Sequence, residues 1–252
     1  MHKPADTPFD AFYYRNCVGG DAYTRNASWL AFNAAIADRI VSDIRPRRVL
    51  DAGCGFGFLV EALRERGVEA TGMDASPFAI SKVCESVQPY CRVGSIADTL
   101  DQFYDLIVTV EVFEHIPPRD AERAIANLCA HAGDVIFSST PFDRAELTHI
   151  NVQPPEYWAE QFARNGFFRD VDYDASMITP WATRFRKRDE PVHRIVREYE
   201  RRFAALEIER NEIRAQALKL RATLARHSMP FPRKVAWMAR RVAGRFAGGF
   251  RR

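Results

Sequence analysis

Three glycines stand at every second position in the stretch DAGCGFG, as Gly53, Gly55 and Gly57, just after Asp51. A second carboxylate, Asp74, closes the next apolar run. Glycines accept φ > 0 and let a ligand approach the backbone closely. A helix start behind them offers unpaired N–H groups and the positive end of a dipole. A carboxylate in the Asp74 position accepts hydrogen bonds from ribose hydroxyls. The set reads as a turn over which a nucleotide-like ligand lies. Farther along, His115 and His149 each follow a strand end. Histidine titrates near neutral pH and suits a general base acting on a hydroxyl. The loop of His149 also carries Asn151, Gln153, Tyr157 and Trp158, polar and aromatic groups of the kind that contact sugars, so His149 is the expected base.

These residues need particular elements to hold them. Val49 and Leu50 lead into Asp51 as a short strand, and Leu59, Val60 and Leu63 repeat at helical spacing up to the stop at Gly67. A second strand runs from about Glu69 to Met73 and ends on Asp74. This crossover places ligands at the carboxyl ends of the strands. A dinucleotide fingerprint needs a third small residue, but those positions hold Phe58 or Val60. Ser76 and Pro77 open a helix expected to run to about Val87, and Tyr90–Val93 forms a third strand before Gly94, Ser95 and Ile96. Phe103–Val110 is nearly all apolar, as a central parallel strand requires. A helix over Ala121–Ala130, a strand over Val135–Ser139 and a helix over Pro155–Arg164 follow. Phe167–Tyr173 and Met177–Arg186 are expected to be the last two strands. Upstream, an aromatic-rich segment (Phe9, Phe12, Tyr13, Tyr14, Tyr23) reads as a brace over the core or a lid over a ligand, followed by a helix from about Asn26 to Ile44.

The D-x-G-x-G-x-G turn resembles motif I of the class I S-adenosylmethionine-dependent methyltransferases. The string EVFEHIP at Glu111–Pro117 is similar to that family's motif after the fourth strand. The resemblance covers about residues 20 to 186. It implies an α/β fold with a doubly wound, seven-stranded, mostly parallel sheet whose last strand is antiparallel, and S-adenosylmethionine as cofactor. By that resemblance Asp51 orients the turn and the methionine end, Asp74 holds the ribose, and Ser95 and Ile96 meet the adenine. An aspartate is common in the family where Ser95 stands. Gly53, Gly55, Gly57, Ala75, Glu111 and Val112 complete the implied cofactor site, with His149 or His115 as base and no metal. A looser resemblance, from Thr148 to Trp158 and over Pro180–Phe185, is to a bacterial subgroup linked to cell-surface glycan assembly and ending in a coiled coil. The expected activity is O-methylation of a saccharide or other hydroxylated acceptor. Methylation of a small quinone-like metabolite, and a cofactor-binding scaffold, are the alternatives.

Composition sets further bounds. The chain has 252 residues and a net charge of +3, but no acid follows Glu212. The last forty residues hold eleven lysines and arginines, which leaves net −8 for residues 1 to 212. A basic tail on an acidic body suggests an anionic partner. Five scattered cysteines without a C-x-x-C, and no apolar run of membrane length, suggest a reduced, cytoplasmic setting. The linear spacing of the six histidines is not that of metal ligands. From Val192 the spacing becomes 4,3,4,3 through Val196, Tyr199, Phe203, Leu206, Arg210, Ile213, Ala217, Leu220 and Leu224, with Arg210 the only polar occupant. That is a coiled-coil seam, expected to pair two copies in a homodimer. Beyond it, Val235, Met238, Val242 and Phe246 face away from several arginines, an amphipathic pattern suited to the anionic inner face of a membrane. No nucleic-acid module accompanies it. The expected division is 1–46 (aromatic segment and helix), 47–188 (Rossmann-like domain), 190–226 (coiled coil) and 227–252 (basic tail).

Overall fold

The computed structural model describes residues 8–18 and 22–227. The chain divides at Pro191 into two units. In the first, seven strands form one sheet in the order β3-β2-β1-β4-β5-β7-β6. They are β1 (Arg48–Ala52), β2 (Glu69–Asp74), β3 (Cys91–Val93), β4 (Tyr104–Val110), β5 (Ala132–Ser138), β6 (Phe167–Arg169) and β7 (Thr183–Lys187). The first five are parallel, and β7 runs antiparallel between β5 and β6. The chain winds outward from β1 to β3 and then crosses back to β4. The order therefore reverses between β1 and β4, where open parallel sheets bind ligands.

Strand alternation divides the core between the two faces. Val49, Leu106, Val108 and Ile136 pack on one side with Ile36, Ile40 and Leu63 from α2 (Ala27–Asp43) and α3 (Phe58–Glu65). Leu50, Ile107, Val135 and Phe137 pack on the other with α5 (Pro118–His131) and α6 (Pro155–Arg164) through Ile125, Leu128 and Phe162. Covering both faces is why β4 reads as a continuous apolar run. Caps follow the expected chemistry. Asn26 accepts from Trp29 N–H at 2.9 Å to start α2, and Ser76 accepts from Ala79 N–H at 3.0 Å to start α4 (Pro77–Ser81).

Three boundaries differ from expectation by more than a helical turn or a few strand residues, while β5 and α5 only begin slightly earlier, at Ala132 and Pro118. Helix α4 ends at Ser81, not near Val87. Lys82, Val83 and Val87 donate to carbonyls three residues back, and these tight turns bury both valines. Strand β6 ends at Arg169, not Tyr173, because the aspartate-rich stretch that follows turns instead. Asp172 N–H bonds Asp170 Oδ1 and Ser176 N–H bonds Asp174 Oδ1, the usual aspartate turn. Strand β7 starts at Thr183 because residues 175–182 fold as turns, with Ile178 N–H on Ala175 O and Ala182 N–H on Thr179 O.

The N-terminal segment holds a short helix, α1 (Ala11–Asn16), capped by Asp10. The second unit contains one long helix, α7 (Val192–His227). At 1.5 Å per residue it spans roughly 54 Å. Its 4,3,4,3 positions are exposed along their length, with Phe203 60%, Ile213 58% and Leu220 61% accessible. The basic amphipathic stretch lies outside the described residues.

Candidate active site

The glycine turn leaves β1 with Gly53, Gly55 and Gly57 at φ of +94°, +51° and +74°. Gly53 and Cys54 donate to Met73 O at 2.7 and 3.1 Å, which ties the turn to β2. A Cβ on Gly53 would fall 2.3 Å from Val112 Cγ2, and one on Gly55 would fall 3.1 Å from the Tyr23 ring. These two glycines border a cavity of about 630 Å³ at the carboxyl ends of β1, β2 and β4. That size falls within the range of small-molecule sites. Gly57 does not face the cavity. It caps α3 in a left-handed conformation, against Val83 and Cys91.

Both aspartates line the cavity. Asp74 accepts from Gly55 N–H at Oδ2 and from Ser76 N–H at Oδ1, each at 2.8 Å, so the carboxylate organises the turn as well as facing the ligand space. Burial pushes its pKa up, while these bonds and one from Tyr14 pull it down. Burial first, and then the charge of Asp74, raise Asp51 to about 7. Ala75, Ser95, Ile96, Glu111 and Val112 border the same cavity. Glu111 holds φ +53°, a costly conformation for a residue with a side chain. It is kept there by Ser138 Oγ and by Trp181 Nε1, 2.9 Å away.

His115 and His149 also border the cavity and come together, ring centroids 4.7 Å apart. Their ring nitrogens have different partners. His115 Nδ1 lies 2.9 Å from Thr148 Oγ1 and 3.2 Å from Thr148 O. The threonine hydroxyl donates to Glu146 Oε2 at 2.6 Å, so it must accept from Nδ1–H. That leaves the Nε2 lone pair of His115 facing the cavity, where it accepts from Tyr13 Oη at 3.2 Å. Burial first, then His149, lower the pKa of His115 to about 4, which keeps the ring neutral. His149 instead meets an acceptor at each nitrogen, with Asp143 O 2.9 Å from Nδ1 and Glu146 Oε2 3.0 Å from Nε2. His149 thus has an oxygen at each ring nitrogen, whereas His115 has Thr148 at Nδ1 and the Tyr13 hydroxyl at Nε2.

The expected sugar-contacting set lies elsewhere. Asn151 and Trp158 are buried, Asn151 donating to Phe113 O at 3.3 Å and Trp158 packing 5.6 Å from Phe113 and 5.3 Å from Phe137. Gln153 donates to Asn151, and Tyr157 packs on Trp158. Tyr157 and Trp158 lie on the side of α6 that turns inward, while Asn151, before the helix, is held on the backbone of residues 113 and 114 and takes Gln153 with it. The aromatic contribution to the cavity comes mainly from the N-terminal segment and α2, through Phe9, Tyr13, Tyr14, Tyr23, Trp29 and Phe32, with Trp181 from the turn before β7. Their density was visible in sequence, but their aim was not. The fold also brings Glu114, His115 and His149 together, with one ligand atom from each within 4.8 Å of the others, a grouping a divalent cation could use. Glu114 is buried, and burial followed by the charge of Glu111 raises its pKa to about 8.

A doubly wound sheet with a glycine turn, an acid at the tip of the second strand and a cavity above both defines a nucleoside-binding α/β protein. The family model of the methyltransferase domain matches residues 21–169, and the chain belongs to the class I S-adenosylmethionine-dependent methyltransferases. Curated relatives include a ubiquinone biosynthesis O-methyltransferase from Alkalilimnicola ehrlichii, 36% identical over 37% of this chain and 41% of its own length. Another of that name, from Saccharophagus degradans, is 32% identical over 39% of this chain and 45% of its own. The chain thus matches less than half the length of these relatives. Among solved structures, an amino pentose methyltransferase from Micromonospora echinaspora bound to S-adenosylmethionine aligns at a TM-score of 0.51. It is 16% identical, over 65% of this chain and 93% of that one. A TehB-like methyltransferase from Corynebacterium glutamicum aligns at 0.50 and 22% identity, over 62% of this chain and 88% of that one. These two establish likeness of fold.

The residues present suit the family's cofactor. The cradle at Gly53 and Gly55 has no room for a side chain, and the carboxylates of Asp51 and Asp74 flank it with no lysine or arginine among the described cavity residues. Such a donor set fits a ligand that brings hydroxyls and positive charge. Asp74 would hold the ribose, Asp51 the cationic methionine end, and Ser95 and Ile96 the adenine side.

Proposed function

We propose that this chain is an S-adenosylmethionine-dependent O-methyltransferase acting on a hydroxylated acceptor, with His115 as its general base. When bound, the cofactor supplies a methyl group on a positively charged sulfur, which keeps the C–S electron pair and becomes a neutral thioether. The chain's part is to align the acceptor oxygen, exclude water and receive the proton. The observation that carries the proposal is the fixed tautomer of His115, with Nδ1 held by Thr148 and the Nε2 lone pair turned toward a hydroxyl 3.2 Å away. Glu146 and Thr148 act as positioning residues for it. His149, the base expected from sequence, instead packs edge-on to His115 and closes the Glu146 side of the cavity. The names of the curated relatives support oxygen as the acceptor atom.

The second unit supports a proposal of its own. The exposed apolar seam of α7 is the surface on which a second copy would pair, making the enzyme a homodimer. No described helix is long and apolar enough to cross a membrane. We place the enzyme in the cytoplasm, with peripheral contact at the inner membrane face through the basic segment beyond α7.

Removal of the His115 ring should lower kcat by about 10- to 100-fold with little change in cofactor affinity, at or below the low end of general-base catalysis because burial holds its pKa at about 4. His149→Ala should cost less. The check is turnover with labelled cofactor, paired with calorimetric titration of S-adenosylhomocysteine. Full turnover by His115→Ala would remove His115 from the mechanism. A His149→Ala defect larger than that of His115→Ala would give the role to His149.

A further inference from the structure

The cavity's charge near neutral pH comes mostly from carboxyls, of which Asp51 and Glu114 are raised to about 7 and 8 and so are partly neutral near pH 7. Asp51, Asp74, Glu111, Glu114 and Asp143 line it, and no lysine or arginine does among the described residues. Glu146 stands directly behind, on His149 and Thr148. A concave site lined by one sign of charge focuses its field inward. It attracts a cation and raises the cost of bringing in an anion, more so where the walls are apolar.

The wall facing these acids is aromatic, and one of its rings stands in a telling place. Tyr13 Oη is 3.2 Å from His115 Nε2, the nitrogen whose lone pair the Thr148 contact at Nδ1 leaves available. The Tyr13 ring is steadied edge-on by Phe9, with centroids 5.0 Å apart, and Phe9 is itself edge-on to His115 at 5.3 Å. The enzyme therefore presents a phenol to its own base, inside a slot shaped by neighbouring rings. Rotation of the half-buried Tyr13 side chain would leave a flat space with a base at its end.

Resting on the O-methyl transfer reading, we propose that the acceptor is an uncharged phenol whose hydroxyl takes the place of the Tyr13 hydroxyl on His115 Nε2, and that phenols bearing a carboxylate or phosphate are excluded by the acids of the cavity. Tyr13 is then a specificity-determining residue. It keeps the base paired until an acceptor of like shape displaces it, and it competes with that acceptor for one hydrogen bond.

The test uses the full chain with labelled S-adenosylmethionine and four probes: catechol, 3,4-dihydroxybenzoate, dopamine and methyl glucoside. Catechol and dopamine should be methylated. The kcat/KM for dihydroxybenzoate should be at least about tenfold lower than for catechol, and the gap should narrow as salt screens the field. Tyr13→Phe should lower the KM for catechol by roughly two- to tenfold, the worth of one net hydrogen bond, without changing the Kd for S-adenosylhomocysteine. A ring that merely supports the fold would leave KM unchanged or raise it. Equal use of dihydroxybenzoate and catechol, or a Tyr13→Phe KM that does not fall, overturns the proposal. Methylation of methyl glucoside but not catechol overturns it while leaving O-methyl transfer standing. If the cofactor binds and neither catechol nor dopamine accepts a methyl group, the phenol proposal falls while O-methyl transfer to another hydroxyl stands.

Discussion

The buried carboxyl of Asp51 makes cofactor binding a pH-dependent event. In the free protein, burial and then the nearby charge of Asp74 raise its pKa to about 7. The incoming cofactor carries positive charge, so it needs Asp51 ionised. A proton held in the free state must leave on binding, and affinity should be present above pH 7 and fall as the pH drops through it. With a pKa near 7, about nine tenths of Asp51 is protonated at pH 6 and about one tenth at pH 8, which makes the expected change in Kd about tenfold. His115, at about 4, does not titrate in that window, whereas Glu114, at about 8, does. Two variants therefore separate the sources. Asp51→Asn should weaken binding at pH 8 and flatten most of the slope, while Glu114→Gln should leave most of it. Calorimetry in two buffers of different ionisation enthalpy would count the released proton directly, about half a proton near pH 7. A wild-type Kd that does not move between pH 6 and pH 8, or a slope that survives in Asp51→Asn, would refute the reasoning.

Two further outcomes follow from other parts of the molecule. Asp74→Ala should weaken S-adenosylmethionine binding by roughly 10- to 100-fold, because it removes ribose acceptors and also releases Gly55 N–H and Ser76 N–H; unchanged affinity in a folded variant would move the ribose elsewhere. Replacing Leu206 and Ile213 with Asp should make the enzyme monomeric by analytical ultracentrifugation while leaving turnover on a small acceptor intact, and a variant that stays dimeric would exclude α7 as the seam.

How much of this was legible in the sequence depended on whether a residue acts through its own backbone or through the aim of its side chain. The glycine turn was legible because φ > 0 is a property of the residue type, and all three glycines adopt it, though only Gly53 and Gly55 border the cavity and Gly57 does not. The sheet was legible because a run such as Tyr104–Val110 must be covered on both faces whatever covers it. The shortened β6 and delayed β7 had weaker signals, since apolar residues in 170–182 compete with aspartates and a proline that turn the chain. The extent of α4 was misread because Val83 and Val87 satisfy helical spacing and tight turns alike.

The loop of His149 shows the limit most sharply. Asn151, Gln153, Tyr157 and Trp158 have the side chains of a sugar site, yet they are close in sequence to a helix that spends its apolar side on the core. The choice between His115 and His149 turned on contacts from residues up to 102 positions apart, with Tyr13 on one nitrogen of His115 and Thr148 on the other. Neither histidine carries a local mark of which nitrogen will be free. Only the folded chain brings Glu146 onto Thr148 and His149 at once, giving His115 an orienting acceptor and engaging the second nitrogen of His149. A base is thus specified by which neighbour occupies which lone pair, and that assignment arises from tertiary contacts between the loop after β4, the loop after β5 and the N-terminal helix.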